Sequence, residues 1–294
     1  MNIILLSGGS GKRLWPLSND IRSKQFIKIF KTADGYESMV QRVYRQIKEV
    51  DADASVTMPP ARRRYRPFTT SWTIRWASAS SRAAVIPSRP SHWRQLPARR
   101  QGRRLDEAVV VCPVDPYVNN DYFAALKRLA ELAGQGNANL SLMGIEPTYP
   151  SEKYGYIIPQ SADAVSPVKT FKEKPDAATA EKYIAQGALW NGGVFAYKLR
   201  YVLDKAHELI DFTDYKDLFD KYETLKKISF DYAVVENESQ IQVMRFAGQW
   251  KDMGTWNTLT EAMEEPSIGK AMLNDTCQNV HVLNELDVPV LCMG

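Results

Sequence analysis

The chain opens on Asn2–Leu6, an aliphatic run stopped by Ser7-Gly8-Gly9. A short unbroken apolar run that ends in glycines predicts a buried strand feeding a tight turn. Ser38–Val50 then places Met39, Val40, Val43, Ile47 and Val50 at helical spacing. Ala108–Val111 reads as a second buried strand, stopped by Pro113. Tyr122–Ala133 is an amphipathic helix with Phe123, Leu126, Leu129 and Leu132 on one face, and Leu140–Ile145 is a third strand. Strands alternating with helices predict an α/β domain with a mostly parallel central sheet.

Farther on, the pattern predicts strands at Val168–Lys172 and Gln240–Phe246 and an apolar segment at Gly193–Ala196. Helices are expected at Ala177–Ala185, Tyr201–Leu209, Thr255–Met263 and around Leu218–Leu225. After Pro266 the pattern shifts to short strand-like runs, Asn279–Leu283 and Val288–Met293. The expected organisation is a main domain over 1–265 and the start of a β-rich region over 266–294.

Composition narrows the function classes. No apolar run approaches the ~18 residues of a membrane span, and Ile3–Leu6 is too short for a signal peptide, so a cytoplasmic setting without a membrane partner is expected. Cys112, Cys277 and Cys292 form no CxxC pair, which argues against a disulfide framework and a zinc knuckle. His92, His207 and His281 have no metal-ligand spacing, and Trp190, Trp250 and Trp256 are expected in the core.

The first candidate chemistry is Ser7-Gly8-Gly9-Ser10-Gly11-Lys12-Arg13-Leu14, directly after the first strand. Glycines let backbone N–H groups approach phosphate oxygens, and Lys12 and Arg13 bring charge to the same place. The string is not a P-loop, because no Lys-Ser/Thr pair follows the last glycine at the required position. On the glycines alone, a plain strand-to-helix turn explains it as well.

The longer pattern resembles the sugar-1-phosphate nucleotidyltransferases. It runs from the glycine string through Trp15-Pro16-Leu17-Ser18 to Lys24-Gln25-Phe26. Lys24-Gln25-Phe26 is most similar to the mannose-1-phosphate guanylyltransferases, in which a proline usually precedes it; here Ser23 does. Further blocks follow in that family's order: Val114-Asp115, Gly144–Thr148, Tyr154–Ile157, Phe171–Pro175, Trp190–Phe195, Ser229–Ala233 and Trp250–Trp256.

The resemblance implies a Rossmann-like nucleotidyltransferase fold. The implied activity is attack of a mannose-1-phosphate oxygen on the α-phosphorus of GTP, giving GDP-mannose and pyrophosphate. By the same resemblance Gly8, Gly9, Gly11 and Lys12 cradle the nucleotide. Arg13 grips the leaving pyrophosphate, Lys24 neutralises phosphate charge, and Asp115 and Asp252 hold Mg²⁺. Lys174 pairs with the sugar phosphate, Glu173 accepts from sugar hydroxyls, and Gly155 and Asn191 line the sugar site. Asp231 stands open between support of the sugar site and helix capping. A homo-oligomer is compatible with all of this.

One stretch departs from the pattern. Ser55–Arg104 holds 12 arginines, no lysine and no acid, against 26 basic and 34 acidic residues elsewhere. The net charge of +4 therefore belongs to this stretch, which has neither a helical nor a strand period. It reads as a basic nucleic-acid arm, as a disordered insert, or as a segment translated out of frame. The genetic code favours the last. Pairing the third base of each codon with the first two of the next forces alanine at Met58-Pro59 and aspartate at Trp72-Thr73. It forces glycine at Trp76-Ala77 and leucine at His92-Trp93. Permitted codons elsewhere let the shifted frame read V-E-P-x-R-R-D-T-F-P-A-I-A, which resembles the one family motif otherwise absent. On this reading nucleic acid is not a partner. The β-rich region after 265 is expected to be truncated, without a fused isomerase.

Three alternatives remain at this level: a sugar nucleotidyltransferase using dTTP, UTP or ATP, a nucleic-acid binder using the arginine stretch, and an inactive nucleotide-sugar binder. Restoring the shifted frame replaces twelve arginines with a strand and helix of ordinary composition. The restored chain should therefore melt higher and release pyrophosphate faster from GTP plus mannose-1-phosphate than the chain as it stands. Equal melting and turnover of the two versions would make the segment a tolerated insert.

Overall fold

The structure is a computed structural model that describes residues 1–7, 12–19, 22–58, 105–221, 224–226 and 228–294. Gly8, Gly9 and Gly11 of the glycine string, the Lys12 side chain and the twelve arginines of the basic stretch lie outside the described residues. In chain order the strands are β1 (Asn2–Leu6), β2 (Lys28–Thr32), β3 (Gly35–Ser38), β4 (Ser55–Thr57), β5 (Ala108–Pro113) and β6 (Pro116–Val118). They continue with β7 (Leu140–Ile145), β8 (Gly155–Pro159), β9 (Val165–Lys172), β10 (Leu189–Lys198), β11 (Ile241–Phe246) and β12 (Trp250–Asp252). Four short ones follow: β13 (Ser267–Ile268), β14 (Ala271–Leu273), β15 (Val282–Leu283) and β16 (Val290–Cys292).

The described residues form two compact units. The larger draws on 1–7, 46–58, 105–113 and 118–250, the smaller on 12–45, 114–117 and 251–294. The larger unit holds a sheet in the order β4-β1-β5-β10-β7-β11-β9-β8, with β8 also reaching β10. β4, β1 and β5 are mutually parallel, as are β7 and β11. β10 runs antiparallel to β5, β7 and β8, and β9 antiparallel to β11 and β8. Only β9 and β10 therefore oppose the common direction: six of the eight strands point the same way, as the strand–helix alternation leads one to expect. β9 and β10 lie inside the sheet, however, so five of its eight pairings are antiparallel and the sheet is mixed. Ser55–Thr57, grouped by composition with the basic stretch, is instead strand β4, so the departure from pattern begins after it.

Side-chain burial explains these elements. The continuous apolar runs of β1, β5 and β7 are covered on both faces, the usual condition of strands in such a sheet. The helix Asn120–Gln135 buries Tyr122, Phe123, Leu126 and Leu129 against the sheet. It stops where Gly136 takes a left-handed φ of 76° and its N–H bonds to the Ala133 carbonyl. One helix sits earlier than periodicity suggests. The expected helix around Leu218–Leu225 is Tyr215–Asp220, started by the Asp214 carboxylate accepting from Asp217 N–H. Leu218 is its buried anchor, packed with Ala206 and Phe212.

The smaller unit has its own core of Leu14, Leu17, Ile27, Ile29, Phe30, Met39, Met253 and Leu259. β2 and β3 form a hairpin, β6 pairs with β12, β13 runs parallel to β15, and β14 parallel to β16. Ile268 and Leu283 from the short C-terminal strands pack onto this core. Among the described residues no helix is long and apolar enough to cross a membrane.

Gly144 on β7 shows how tightly the sheet is packed. A Cβ there would lie 2.5 Å from Leu189 Cδ1 and 2.7 Å from Val243 Cγ2. Gly144→Ala should lower unfolding stability by about 1–3 kcal/mol, the range for overpacking a dense core, read from urea denaturation. A stability equal to the wild type would show that β10 and β11 yield freely.

Candidate active site

Each unit gathers its own set of polar side chains. In the smaller unit Lys24 lies on the 3-10 turn Lys24–Phe26 and is only 8% exposed. Its Nζ is 2.9 Å from Asp115 Oδ2 and donates to the Met253 carbonyl at 3.3 Å. Asp115 stands between β5 and β6, and Asp252 ends β12, the strand paired with β6. Residues more than a hundred positions apart are thus brought together by one short strand pair.

Asp115 Oδ1 is enclosed and has no hydrogen-bond partner among the described residues. Burial pushes the Asp115 carboxyl above its ordinary value. Lys24 pulls against this by charge and hydrogen bond, and the negative charge of Asp252 adds to the rise. Two carboxylates that repel each other, with the Lys24 ammonium paired to Asp115, favour a further positive charge. A hard divalent cation would supply it, and Gly254 leaves room beside Asp252, where a Cβ would come within 2.7 Å of Oδ2. Among the described residues no group of three or more His, Cys, Asp or Glu side chains could hold a metal ion. An ion held by Asp115 and Asp252 would therefore need further ligands beyond these two side chains. Arg13, on the turn Lys12–Leu14, is exposed.

Gln25 was not singled out by sequence reasoning. It is fully buried, and neither of its amide atoms has a partner among the described residues. Its place between Lys24 and Phe26 was visible in the sequence, but nothing there showed that it points inward.

In the larger unit β8, β9 and β10 bring Gly155, Glu173, Lys174 and Asn191 together. Asn191 is registered opposite Gly155 across the β8–β10 pair. A Cβ on Gly155 would collide with Glu173 Oε2 and approach Phe171 Cζ at 3.1 Å, so only glycine lets the carboxylate lie there. Glu173 Oε1 pairs with Lys174 Nζ at 2.7 Å, while Oε2 is enclosed without a partner among the described residues. Lys174 holds a left-handed φ of 47°, a strained setting for a lysine and one that clusters at functional sites. Burial works to lower the Lys174 ammonium, but the hydrogen bond and charge of Glu173 outweigh it and hold the group above the ordinary lysine value.

Asn191 is fixed at both ends of its amide. Its Oδ1 accepts from Gly193 N–H at 3.0 Å and its Nδ2 donates to Asp231 Oδ1 at 2.8 Å. Asp231 is therefore a partner of Asn191. The cap of its short helix is Ser229, whose side chain accepts from Tyr232 N–H. Burial raises the Asp231 carboxyl to about 6. Glu173 adds to the rise, while the bond from Asn191 and the charge of Lys174 oppose it. Tyr156 braces the start of β8: its hydroxyl accepts from Ser151 N–H and Trp190 Nε1–H and donates to the Ser151 carbonyl.

The Nucleotidyl transferase family model matches residues 2–267. A Xanthomonas campestris pv. campestris protein named xanthan biosynthesis protein XanB is 29% identical over 302 residues, covering 94% of this chain and 62% of that protein. A Klebsiella pneumoniae protein named mannose-1-phosphate guanylyltransferase is 26% identical, covering 92% and 62%. The chain thus spans about three-fifths of the length of these relatives. A crystal structure from Thermus thermophilus, named mannose-1-phosphate geranyltransferase, superposes with a TM-score of 0.68 at 23% identity. It covers 99% of this chain and 90% of that one, a likeness of fold.

The Asp231 carboxyl carbon should titrate with a midpoint of about 6 in carbon-13 NMR. Glu173→Gln should lower that midpoint by removing a neighbouring negative charge. Because the folded value lies above the unfolded one, the wild type should gain stability relative to Asp231→Asn as pH falls through 6 towards 4. A midpoint unmoved by Glu173→Gln would show that the two carboxylates do not sense each other.

Proposed function

The chain belongs to the Nucleotidyl transferase family, and from that premise we propose that it is a sugar-1-phosphate nucleotidyltransferase joining GTP and mannose-1-phosphate into GDP-mannose with release of pyrophosphate. The observation that carries this reading is the pair of side-chain sets, each suited to one reactant. Support for guanylyl transfer to mannose comes from Lys24-Gln25-Phe26 and from the name of the Klebsiella relative. Transfer of another nucleotide to a sugar 1-phosphate is the second reading, favoured by the modest identity of these relatives.

Both reactants are anions, so the chain must screen charge and align the attacking oxygen with the α-phosphorus. Lys24, held beside Asp115 at 2.9 Å, is poised to exchange that partner for a phosphate oxygen. Arg13 offers a planar fork for the leaving pyrophosphate, and Gly8, Gly9, Gly11 and Lys12 would cradle the triphosphate. Asp115 and Asp252 would hold Mg²⁺, and the orphaned Asp115 Oδ1 fits that role. The ion, when bound, supplies neutralisation of the reacting phosphates.

On the sugar side, Lys174 would release Glu173 in part to meet the sugar phosphate, and Glu173 Oε2 would accept from a sugar hydroxyl. Asn191 would donate its second amide hydrogen, its orientation held by Asp231 and Gly193. GTP as substrate makes the cytoplasm the setting, and a homo-oligomer is compatible with the reaction.

Pyrophosphate release, measured over GTP, ATP, UTP and dTTP with mannose- and glucose-1-phosphate, should be fastest with GTP and mannose-1-phosphate. Preference for another pair sinks the finer reading. Asp115→Asn and Asp252→Asn should each cut turnover by about a hundredfold or more and raise the Mg²⁺ requirement, with the fold intact by circular dichroism. Unchanged Mg²⁺ dependence in either variant would remove it from the metal site.

A further inference from the structure

In the smaller unit the turn Lys12–Leu14, with Arg13, and the turn Lys24–Phe26 are joined by residues 15–23. The backbone between them is tied in steps. Ser18 N–H donates to the Leu14 carbonyl at 3.2 Å, and Asn19 N–H to the Arg22 carbonyl at 2.8 Å. Arg22 N–H returns a bond to Asn19 Oδ1 at 2.9 Å. Phe26 N–H then donates to the Ser23 carbonyl and Ile27 N–H to the Lys24 carbonyl, each at 3.1 Å. Arg22 thus stands two residues before Lys24 in a stretch closed by these local bonds. Its side chain reaches out of the stretch: Nη1 and Nη2 donate to the two carboxylate oxygens of Glu285, between β15 and β16.

Glu285 is presented on a firm support. Leu283 of β15 packs, with Ile268, on the core that contains Leu14, Leu17 and Ile27. Asn284, only 9% exposed, fixes the turn that carries Glu285. Its Nδ2 donates to the Lys270 and Val288 carbonyls, both at 2.8 Å, and its Oδ1 accepts from Leu286 N–H at 3.0 Å. Its backbone N–H donates to the Ile268 carbonyl at 2.9 Å. Gly269 has a left-handed φ of 88°, and a Cβ there would collide with the Asn284 carbonyl, so the two backbones lie in close contact. A second tie joins the same segments: Glu265 accepts from Lys31 and, at 2.9 Å, from the Tyr36 hydroxyl. The Glu285 carboxylate is therefore carried by a well-braced turn, and Arg22 grasps it.

The pair is partly exposed, Arg22 at 41% and Glu285 at 51%, so solvent screens it and it adds little to stability. A two-pronged arginine–carboxylate contact still fixes direction, because two parallel bonds favour one relative orientation. We propose that Glu285 is a positioning residue: through Arg22 it holds the backbone that places Lys24 and Arg13 against the nucleotide phosphates. The proposal rests on the reading of Lys24 and Arg13 given above. It extends that reading to a residue of the β-rich region that lies outside every motif block. Groups that meet a phosphate lose much of their effect when displaced by a fraction of an ångström, which gives an exposed pair a use that its stability does not.

The test is calorimetric titration of the full chain with GTP, beside thermal melting. Two variants separate position from charge. Glu285→Gln removes a negative charge, which by itself would tighten the binding of an anion; loss of position should weaken it. Arg22→Lys keeps the charge but loses the planar fork, and should weaken GTP in the same way. Each variant should raise the Kd for GTP about tenfold, leave mannose-1-phosphate binding unchanged and melt as the wild type does. The amides of Phe26 and Ile27 should exchange hydrogen faster in both. Unchanged or tighter GTP binding by Glu285→Gln, with Lys24→Met weakening it, would overturn the proposal and leave the Lys24 reading intact. Weaker GTP binding that comes with a lower melting temperature in both variants would make the pair a stability contact and overturn the proposal as well. If Lys24→Met binds GTP as the wild type does, or the wild type binds none, the Lys24 reading falls and the proposal with it.

Discussion

The larger unit depends on how closely three backbones can approach one strand. β10 lies against β5, β7 and β8, all running opposite to it. At Gly144 a side chain would strike Leu189 and Val243, and at Gly155 it would strike Glu173. Packing at this density leaves no volume for even one extra methyl group without displacement. The same closeness that completes the core sets Glu173 and Asn191 side by side. Register shifts on β10 between Asn191 and Phe195, and Gly193 there takes a left-handed φ of 70°. Bulges of this kind re-aim a side chain, and here the Gly193 N–H is what holds the Asn191 amide.

Charge in the two sets is arranged differently. Lys24 is nearly buried, and removing its partner would leave an uncompensated ammonium in a poor solvent. Its pairing with Asp115, beside the bond to the Met253 carbonyl, offsets part of that burial and holds the positive charge in place. Lys174 is 57% exposed, while its partner Glu173 is 9% exposed. The carboxylate is the enclosed member of that pair and the ammonium the exposed one. Solvent screens the exposed pair, so it adds little stability. Its interest lies in the enclosed Glu173 Oε2 and in the negative charge that adds to the effect of burial in raising the Asp231 carboxyl.

Arginine-rich composition and fold meet at one point in the chain. β4 ends at Thr57, correctly paired with β1, and the first codon pair of the shifted reading falls at Met58-Pro59. The chain therefore follows a regular strand pattern up to the residue before the shifted reading begins. From Leu105 onward it resumes, with β5 taking its place on the other side of β1. Both edges of the basic stretch are thus set in one sheet by strands that flank β1.

Much of the architecture was legible from local pattern. The apolar runs of β1, β5 and β7 and the one-sided helix Asn120–Gln135 signal burial by residue type alone, because a desolvated face needs an unbroken or periodic set of apolar side chains. Strands that lack this signature were missed. β8 begins with a glycine and ends with a proline, and β2, β3, β6 and β12 carry charged or polar residues among short apolar ones. The motif blocks named Lys24, Asp115, Asp252, Glu173, Lys174, Asn191 and Asp231. Tertiary structure decided which of them touch: Lys24 with Asp115, Glu173 with Lys174, Asn191 with Asp231. It alone showed the enclosed atoms without partners, Gln25, Asp115 Oδ1, Glu173 Oε2 and Trp250 Nε1, because an unmet hydrogen bond is a property of the space around an atom. Residue identity determines what a side chain can donate or accept; only the packed chain determines what is left for it to meet.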